Sequence, residues 1–134
     1  MQGASAIQEY LEENPGAPVS VFVVWEPVLF SDWIGPTSGT LRRLHDRRGS
    51  QLWDRGRLLS SLIHESVRAD SNNGFARCSE PGHVVWDVVA VFPPGGRWES
   101  RMPSPSYCDG AVVGIMDGFR KHMRGLAVSA AGPG

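Results

Sequence analysis

The fold prediction depends on one stretch, Val19-Ser20-Val21-Phe22-Val23-Val24-Trp25-Glu26-Pro27, in which an apolar, β-branched run ends abruptly at a proline. Apolar side chains occupy both alternating faces of this run, which predicts a central strand over residues 19–25 that is covered on both sides. The loop that follows, residues 26–37, is therefore expected at the carboxyl end of a buried strand. Open α/β sheets build their binding sites at such ends.

The rest of the chain alternates predicted helices and strands. A capping box at Ser5 and Gln8 starts a first helix, which Asn14-Pro15-Gly16 stops. The two strongest strand predictions, residues 19–25 and 84–92, are both apolar on both faces. We therefore expect them to be neighbouring or near-neighbouring central strands. After the first strand the pattern predicts a helix at 36–44, a short strand at 50–53, a helix capped by Asp54, the second strong strand at 84–92, a hairpin return at 97–99, and a helix from Asp109 to Gly125.

Length and composition limit the class of protein. The 134 residues suit one α/β domain, predicted over 1–125, and a tail at 126–134 that is expected to be flexible. A net charge of −1 argues against nucleic acid or an anionic membrane surface as a partner. No apolar run reaches about 18 residues, so no transmembrane helix is expected. No signal-peptide pattern follows Met1, so we expect a cytoplasmic location.

This order of elements resembles the thioredoxin-like arrangement, a mixed sheet with helices on both faces, over residues 5–125. The phrases Val24-Trp25-Glu26-Pro27-Val28, Gln51-Leu52-Trp53-Asp54 and Val85-Trp86-Asp87 are similar to a group of small, uncharacterised bacterial thioredoxin-like proteins. The resemblance implies a single-domain thioredoxin-like fold. It does not imply dithiol chemistry, because the loop at 26–37 carries no Cys-x-x-Cys and no Thr-Pro dipeptide precedes the strand at 84–92.

Polar and aromatic side chains cluster in the loop at 26–37, and the ligand-binding candidates are Glu26, Asp32, Trp33 and Thr37. Thr37 stands at a predicted helix start, where capping is its first expected role. No phosphate-loop, nucleophile-elbow or His-Glu-x-x-His motif is present, so no cofactor is predicted. The first hypothesis is therefore a domain without dithiol activity that binds a protein partner or a small ligand through this loop.

The two cysteines, Cys78 and Cys108, give the second hypothesis. Cys108 precedes a predicted helix start, where the helix dipole and free N–H groups would favour a reactive thiolate. The chain would then be a single-thiol enzyme, peroxidase-like or transferase-like, that uses Cys108 or Cys78. A Cys78–Cys108 disulfide and two unreactive thiols both stay open. Together with His83 the cysteines lack an evident fourth ligand, so no metal site is predicted.

Asp87 is a further catalytic candidate, because alternation along the strand at 84–92 gives it the same face as Val85, Val89 and Val91. A carboxylate among three valines would be desolvated, and it would need a hydrogen-bond partner. Such an acid either belongs to a site or is held structurally by a backbone amide, an arginine or a tryptophan indole. We favour the structural role.

Overall fold

The computed structural model describes residues 2–131 and shows a mixed α/β fold. In this part of the chain, β1 pairs with β2 in parallel, and β3 pairs with β4 antiparallel, so the strands form two separate ladders. The α/β class is thus confirmed. The regular elements are α1 (Gln2–Glu13), β1 (Val21–Trp25), α2 (Ser38–Leu41), β2 (Gly49–Trp53), α3 (Leu58–Ala69), β3 (Val88–Val91), β4 (Tyr107–Gly110) and α4 (Val112–Ala131), with 3₁₀ helices at Phe30–Ile34 and Gly74–Arg77.

Helices cover both faces of the β3–β4 sheet. Val89, Val91 and Tyr107 point to one side and pack in the main core with α1 and α4. Ala90 and Cys108 point to the other side, where Ile63 of α3 joins a second, smaller core. The alternation of side chains along each strand therefore divides the apolar residues between two cores.

The main core forms where α1 packs against α4. The Tyr10 ring meets the Phe119 ring edge-on, with centroids 4.9 Å apart, and Leu11 is fully buried. Each such apolar side chain contributes about 1.5–3 kcal/mol when it is taken out of water. The buried members are Ile7, Tyr10, Leu11, Leu44, Val91, Val112, Met116 and Phe119.

Strand β1 is covered on one face only. Val21 and Val23 pack on the main core, whereas Phe22 is 68% exposed and Leu52 of β2 is exposed on the same face. The prediction that both faces are covered is therefore wrong, because α3 packs through Ile63 on the β3–β4 sheet. In the described residues the two strong strands belong to separate ladders, β1 with β2 and β3 with β4, so they are not the neighbouring or near-neighbouring strands of one sheet that the sequence predicted.

Two predicted boundaries shift at the second strong strand. The strand begins only at Val88, because Asp87 has a φ of 53° and this left-handed conformation interrupts an extended chain. The return strand is β4, not residues 97–99, and residues 92–106 form one long connection between β3 and β4. Pro103 and Pro105 stand just before β4, consistent with their lack of a ladder donor.

The helices also differ from their predicted bounds. The helix expected at 36–44 is reduced to the single turn α2. Helix α4 does not end at Gly125 and continues to Ala131. Met123 and Leu126 pack on the main core on either side of this glycine, and their burial offsets a cost of about 1 kcal/mol for glycine within a helix. Residues 132–134 of the predicted tail lie outside the described residues.

One largely buried arginine joins α1 to the start of β2. The guanidinium of Arg48 donates to the backbone carbonyl of Leu11 at 2.7 Å, of Asn14 at 2.8 Å and of Ala17 at 3.2 Å. It also donates to both carboxylate oxygens of Asp46, at 2.9 and 2.7 Å. These side-chain hydrogen bonds hold the pKa of Asp46 well below its usual value near 3.8. We call this set of five residues the Arg48 clamp.

The clamp predicts how stability depends on pH. A carboxyl whose pKa is depressed in the folded state stabilises the fold above its unfolded pKa of about 3.9, and this contribution is lost as the pH falls through the folded value. An Asp46→Asn variant should thus be less stable than the parent protein at pH 7, and the difference should shrink as the pH falls below about 4. Urea unfolding at pH 7 and pH 3 measures it.

The exposed Asp117, changed to Asn, is the matched control and should unfold like the parent protein at both pH values. An Asp46→Asn deficit of equal size at pH 7 and pH 3 would show that the charge of Asp46 is not stabilised by Arg48.

Candidate functional site

The loop after β1 is closed by its own aspartate. The Asp32 carboxylate accepts hydrogen bonds from the backbone N–H groups of Leu29 at 2.8 Å and of Val28 at 3.2 Å. The bond from Leu29 lowers the pKa of Asp32, and the bond from Val28 adds to this effect. At the start of the loop Pro27 is fully buried. The 3₁₀ helix at Phe30–Ile34 is therefore held to the end of β1 by local bonds, and Asp32 faces its own backbone.

This closed turn displays apolar side chains to solvent. Ile34 is 96% exposed, Leu29 is 64% exposed and Trp33 is 44% exposed. Gly35, with a φ of +86°, lies on the indole of Trp53, where a Cβ would come within 3.4 Å of the ring. We call the exposed apolar side chains at this end of the β1–β2 sheet the apolar rim, which consists of Leu29, Trp33, Ile34, Trp53 and Leu58.

Two arginines lie beside the indole of Trp33. The guanidinium carbons of Arg55 and Arg57 are each 5.9 Å from a ring centroid of Trp33, within the range of a cation–π contact. Arg57 also donates from Nε to the carbonyl of Pro27 at 2.7 Å, which fixes the start of α3 beside the loop. Among the described residues neither arginine has a carboxylate within ion-pair distance, since the ion pairs there belong to other cations.

Glu26 faces the protein and caps α3. Its carboxylate accepts from the backbone N–H of Ser60 at 3.0 Å and from the Ser60 hydroxyl. The neighbouring Leu59 N–H donates to Asp54 at 2.8 Å. Both bonds satisfy N–H groups that the first turn of a helix leaves free. The Ser60 hydroxyl in turn accepts from the N–H of Val85 at 2.9 Å, so this capping centre joins β1, α3 and the segment before β3.

Thr37 is a cap, as predicted. Its hydroxyl oxygen accepts from the backbone N–H of Thr40 at 3.2 Å and begins α2. Of the loop candidates, Trp33 therefore belongs to the exposed surface, whereas the other three side chains are bonded to backbone N–H groups. Their predicted role as ligand contacts stays a prediction.

The cysteines lie away from this loop and are joined in a disulfide. Cys78 follows the 3₁₀ helix at Gly74–Arg77, and Cys108 is buried within β4. Their Cα atoms are 5.7 Å apart, a usual separation for a bridged pair. Cys108 is thus a strand residue and not the residue at the start of α4. Among the described residues no three His, Cys, Asp or Glu side chains are arranged to hold a metal ion.

Asp87 lies at the starts of two helices. Its backbone carbonyl accepts from the N–H of Val112 at 3.1 Å, and its Oδ1 lies 2.8 Å from where a Cβ on Gly3 would be. The positive φ removes it from the strand face of Val89 and Val91, so that prediction is wrong. Within residues 2–131 no side-chain donor reaches its carboxylate. Its partly exposed charge instead lies at the first turn of α1, where the helix dipole favours an anion.

Surface grooves occur elsewhere on the described structure. One of about 440 Å³ runs along α1 and includes Gln8 and Glu12. Another of about 440 Å³ runs along α3 and includes His64 and Arg68. Neither of these two grooves is lined by residues of the loop at 26–37.

Sequence reasoning missed the residues that give this surface its character. Arg55 and Arg57 flank the glycine of Asp54-Arg55-Gly56-Arg57, directly after a predicted strand, which places them at the same sheet end as the loop. Leu29 and Ile34 bracket the predicted Asp32-Trp33 pair and are 64% and 96% exposed. Apolar residues next to a tight turn are the sequence feature from which this exposed surface could have been predicted.

Comparison with known proteins finds no matching family model, no matching curated protein and no matching solved structure. Among the helices of residues 2–131, none is long and apolar enough to cross a membrane. The functional argument therefore depends on the geometry of the apolar rim and of its neighbouring charges.

The capping centre yields a stability prediction. Changing the buried Ser60 to Ala leaves the Val85 N–H without its acceptor and removes the hydroxyl donor to Glu26, which then keeps only the backbone N–H of residue 60. The loss should be about 1–3 kcal/mol in the free energy of unfolding, measured by urea denaturation. Changing the exposed Ser61 to Ala is the matched control and should stay within about 0.5 kcal/mol. Equal effects of the two changes would contradict the capping role.

Proposed function

We propose that this chain is a thioredoxin-like domain without dithiol activity, and that it binds a partner protein through the apolar rim. The observation that carries the proposal is the exposure of Ile34, Leu29 and Trp33 on a turn that is closed by backbone hydrogen bonds. Several large apolar side chains exposed on one turn are typical of a protein–protein interaction site. A rigid turn also loses little conformational entropy on binding.

The topology supports the thioredoxin-like part of the proposal. A parallel β1–β2 pair, an antiparallel β3–β4 pair and a final helix follow one another in the expected order. Within residues 2–131 no ladder joins the two sheets, which is the departure from that arrangement. The loop that would carry the dithiol holds Ser31-Asp32-Trp33-Ile34 instead, so its chemistry is that of an apolar surface. The resemblance to small bacterial thioredoxin-like proteins stays a prediction.

A protein partner fits the rim better than a small ligand. Small-molecule sites enclose most of the ligand surface within a cavity lined by apolar groups and a few polar ones. The grooves along α1 and α3 do not include the loop, and the rim is open to solvent. Large apolar side chains that stand open to solvent, as Ile34 and Leu29 do, are buried effectively by another macromolecule.

The single-thiol enzyme is the less supported alternative. A peroxidase-like or transferase-like reaction at Cys108 or Cys78 would require the disulfide to be reduced first, and Cys108 is buried.

The cytoplasmic location also stays a prediction. The disulfide itself favours an oxidising compartment, because such bonds persist there.

A thiol assay separates the two hypotheses. The unreduced protein should take up no alkylating reagent at pH 6, and the reduced protein should expose both thiols. Since the disulfide closes a loop with a sequence separation of 30, reduction should cost about 2–4 kcal/mol in the free energy of unfolding. A variant with both cysteines changed to Ser is the control. Rapid alkylation of one thiol in the unreduced protein would favour the enzyme.

Site-specific photo-cross-linking tests the binding surface. A benzophenone side chain at position 34 should cross-link a partner protein in an extract of the source cells, and the same group at the exposed position 128 on α4 should not. For the purified partner, Ile34→Ser should weaken Kd about tenfold, because exposed anchors of an interface lose more than 1 kcal/mol on truncation. Val128→Ser should leave Kd unchanged. Equal cross-linking from both positions, or an unchanged Kd for Ile34→Ser, contradicts the proposal.

A further inference from the structure

Two arginines without an ion-pair partner lie beside the apolar rim. Arg55 and Arg57 both approach the ring of Trp33, and neither is neutralised by a carboxylate among the described residues. The bond from Arg57 to the carbonyl of Pro27 uses only its Nε, so the other guanidinium donors remain for further partners. A guanidinium presents its donors in a planar fork that matches a carboxylate.

The acids of the same region accept hydrogen bonds from groups within the protein. Asp32 accepts from backbone N–H groups of its own turn. Asp54 accepts from Leu59, and Glu26 accepts from Ser60. Each of these carboxylates accepts hydrogen bonds from within the protein, whereas Arg55 and Arg57 keep guanidinium donors that a partner can reach.

We infer that the partner binds with a short acidic segment that carries an apolar or aromatic anchor. The anchor packs on Ile34 and Leu29, and the neighbouring carboxylates of the partner pair with Arg55 and Arg57. This inference rests on the proposed function and adds the chemistry of the partner. Charge complementarity of this kind raises the association rate and selects among partners.

A single-stranded nucleic acid is the other ligand that a tryptophan between arginines could attract. The rim does not favour it, because Leu29, Ile34 and Leu58 are aliphatic side chains that do not stack on bases. The net charge of −1 also supplies no general attraction for a polyanion. An acidic peptide uses both the aliphatic and the cationic parts of the surface.

Selection from a random peptide library tests the inference without a known partner. Peptides displayed on phage and selected against the intact, disulfide-bonded protein should be enriched in Asp and Glu around one apolar residue. The selected peptides should bind more weakly as salt rises. Arg55→Gln should weaken them about fivefold or more. Arg124→Gln, on an exposed part of α4, is the matched control and should have no effect.

The outcomes separate this inference from the proposed function. Peptides that depend on Ile34 but show neither acidic enrichment nor a loss with Arg55→Gln overturn the inference and leave the binding surface intact. A selection that yields no peptide sensitive to Ile34→Ser overturns both. A single-stranded oligonucleotide that binds and is lost with Arg55→Gln also overturns the inference, since the ligand class would then be nucleic acid.

Discussion

The architecture depends on the Arg48 clamp, which holds the end of α1 against the start of β2. Its guanidinium reaches the carbonyls at the end of α1 and the carboxylate of Asp46, so one side chain satisfies acceptors that a helix end leaves free. A lysine could not serve here, because an ammonium lacks the planar fork that contacts several acceptors in fixed directions. Gln8 reinforces the joint from the middle of α1 by accepting from the backbone N–H groups of His45 and Asp46. The start of β2 is thereby fixed against the N-terminal helix.

The parallel β1–β2 ladder connects the Arg48 clamp to the apolar rim. The register of β1 on β2 ends with Trp25 opposite Trp53, and the carbonyl of Trp25 then accepts from the N–H of Asp54 at 2.8 Å. Asp54 and Glu26, each next to a strand end, bond the first turn of α3. The apolar rim is therefore held from both strands, and its exposed side chains lie on backbone that has little freedom to collapse onto the core.

Sequence patterns over a few neighbouring residues predicted more of the fold than inferences about which distant segments pack together. The strands at β1 and β2 and the cap at Thr37 follow from alternation and helix-start chemistry, which need only a few neighbouring residues. The role of Arg48 could not be predicted, because Arg47 beside it has the same chemistry and only the folded chain brings α1 to one of them. At the site, the loop and Trp33 were predicted. Glu26 was not recognised as a cap, since a carboxylate suits a ligand and a helix start equally well, and Ser60 lies 34 positions away.

The packing of α1 on α4 also bears on how the protein is made. Glu13 and Arg120, which pair across the two helices, are 107 positions apart. A ribosome adds about 5–20 residues per second, so α1 leaves the exit tunnel many seconds before its packing partner exists. During that interval the apolar face with Tyr10 and Leu11 lacks the cover of α4, while the β1–β2 ladder can already form. The main core of this domain therefore closes only after α4 has been synthesised, and a nascent chain stalled before α4 would be a natural client for chaperones.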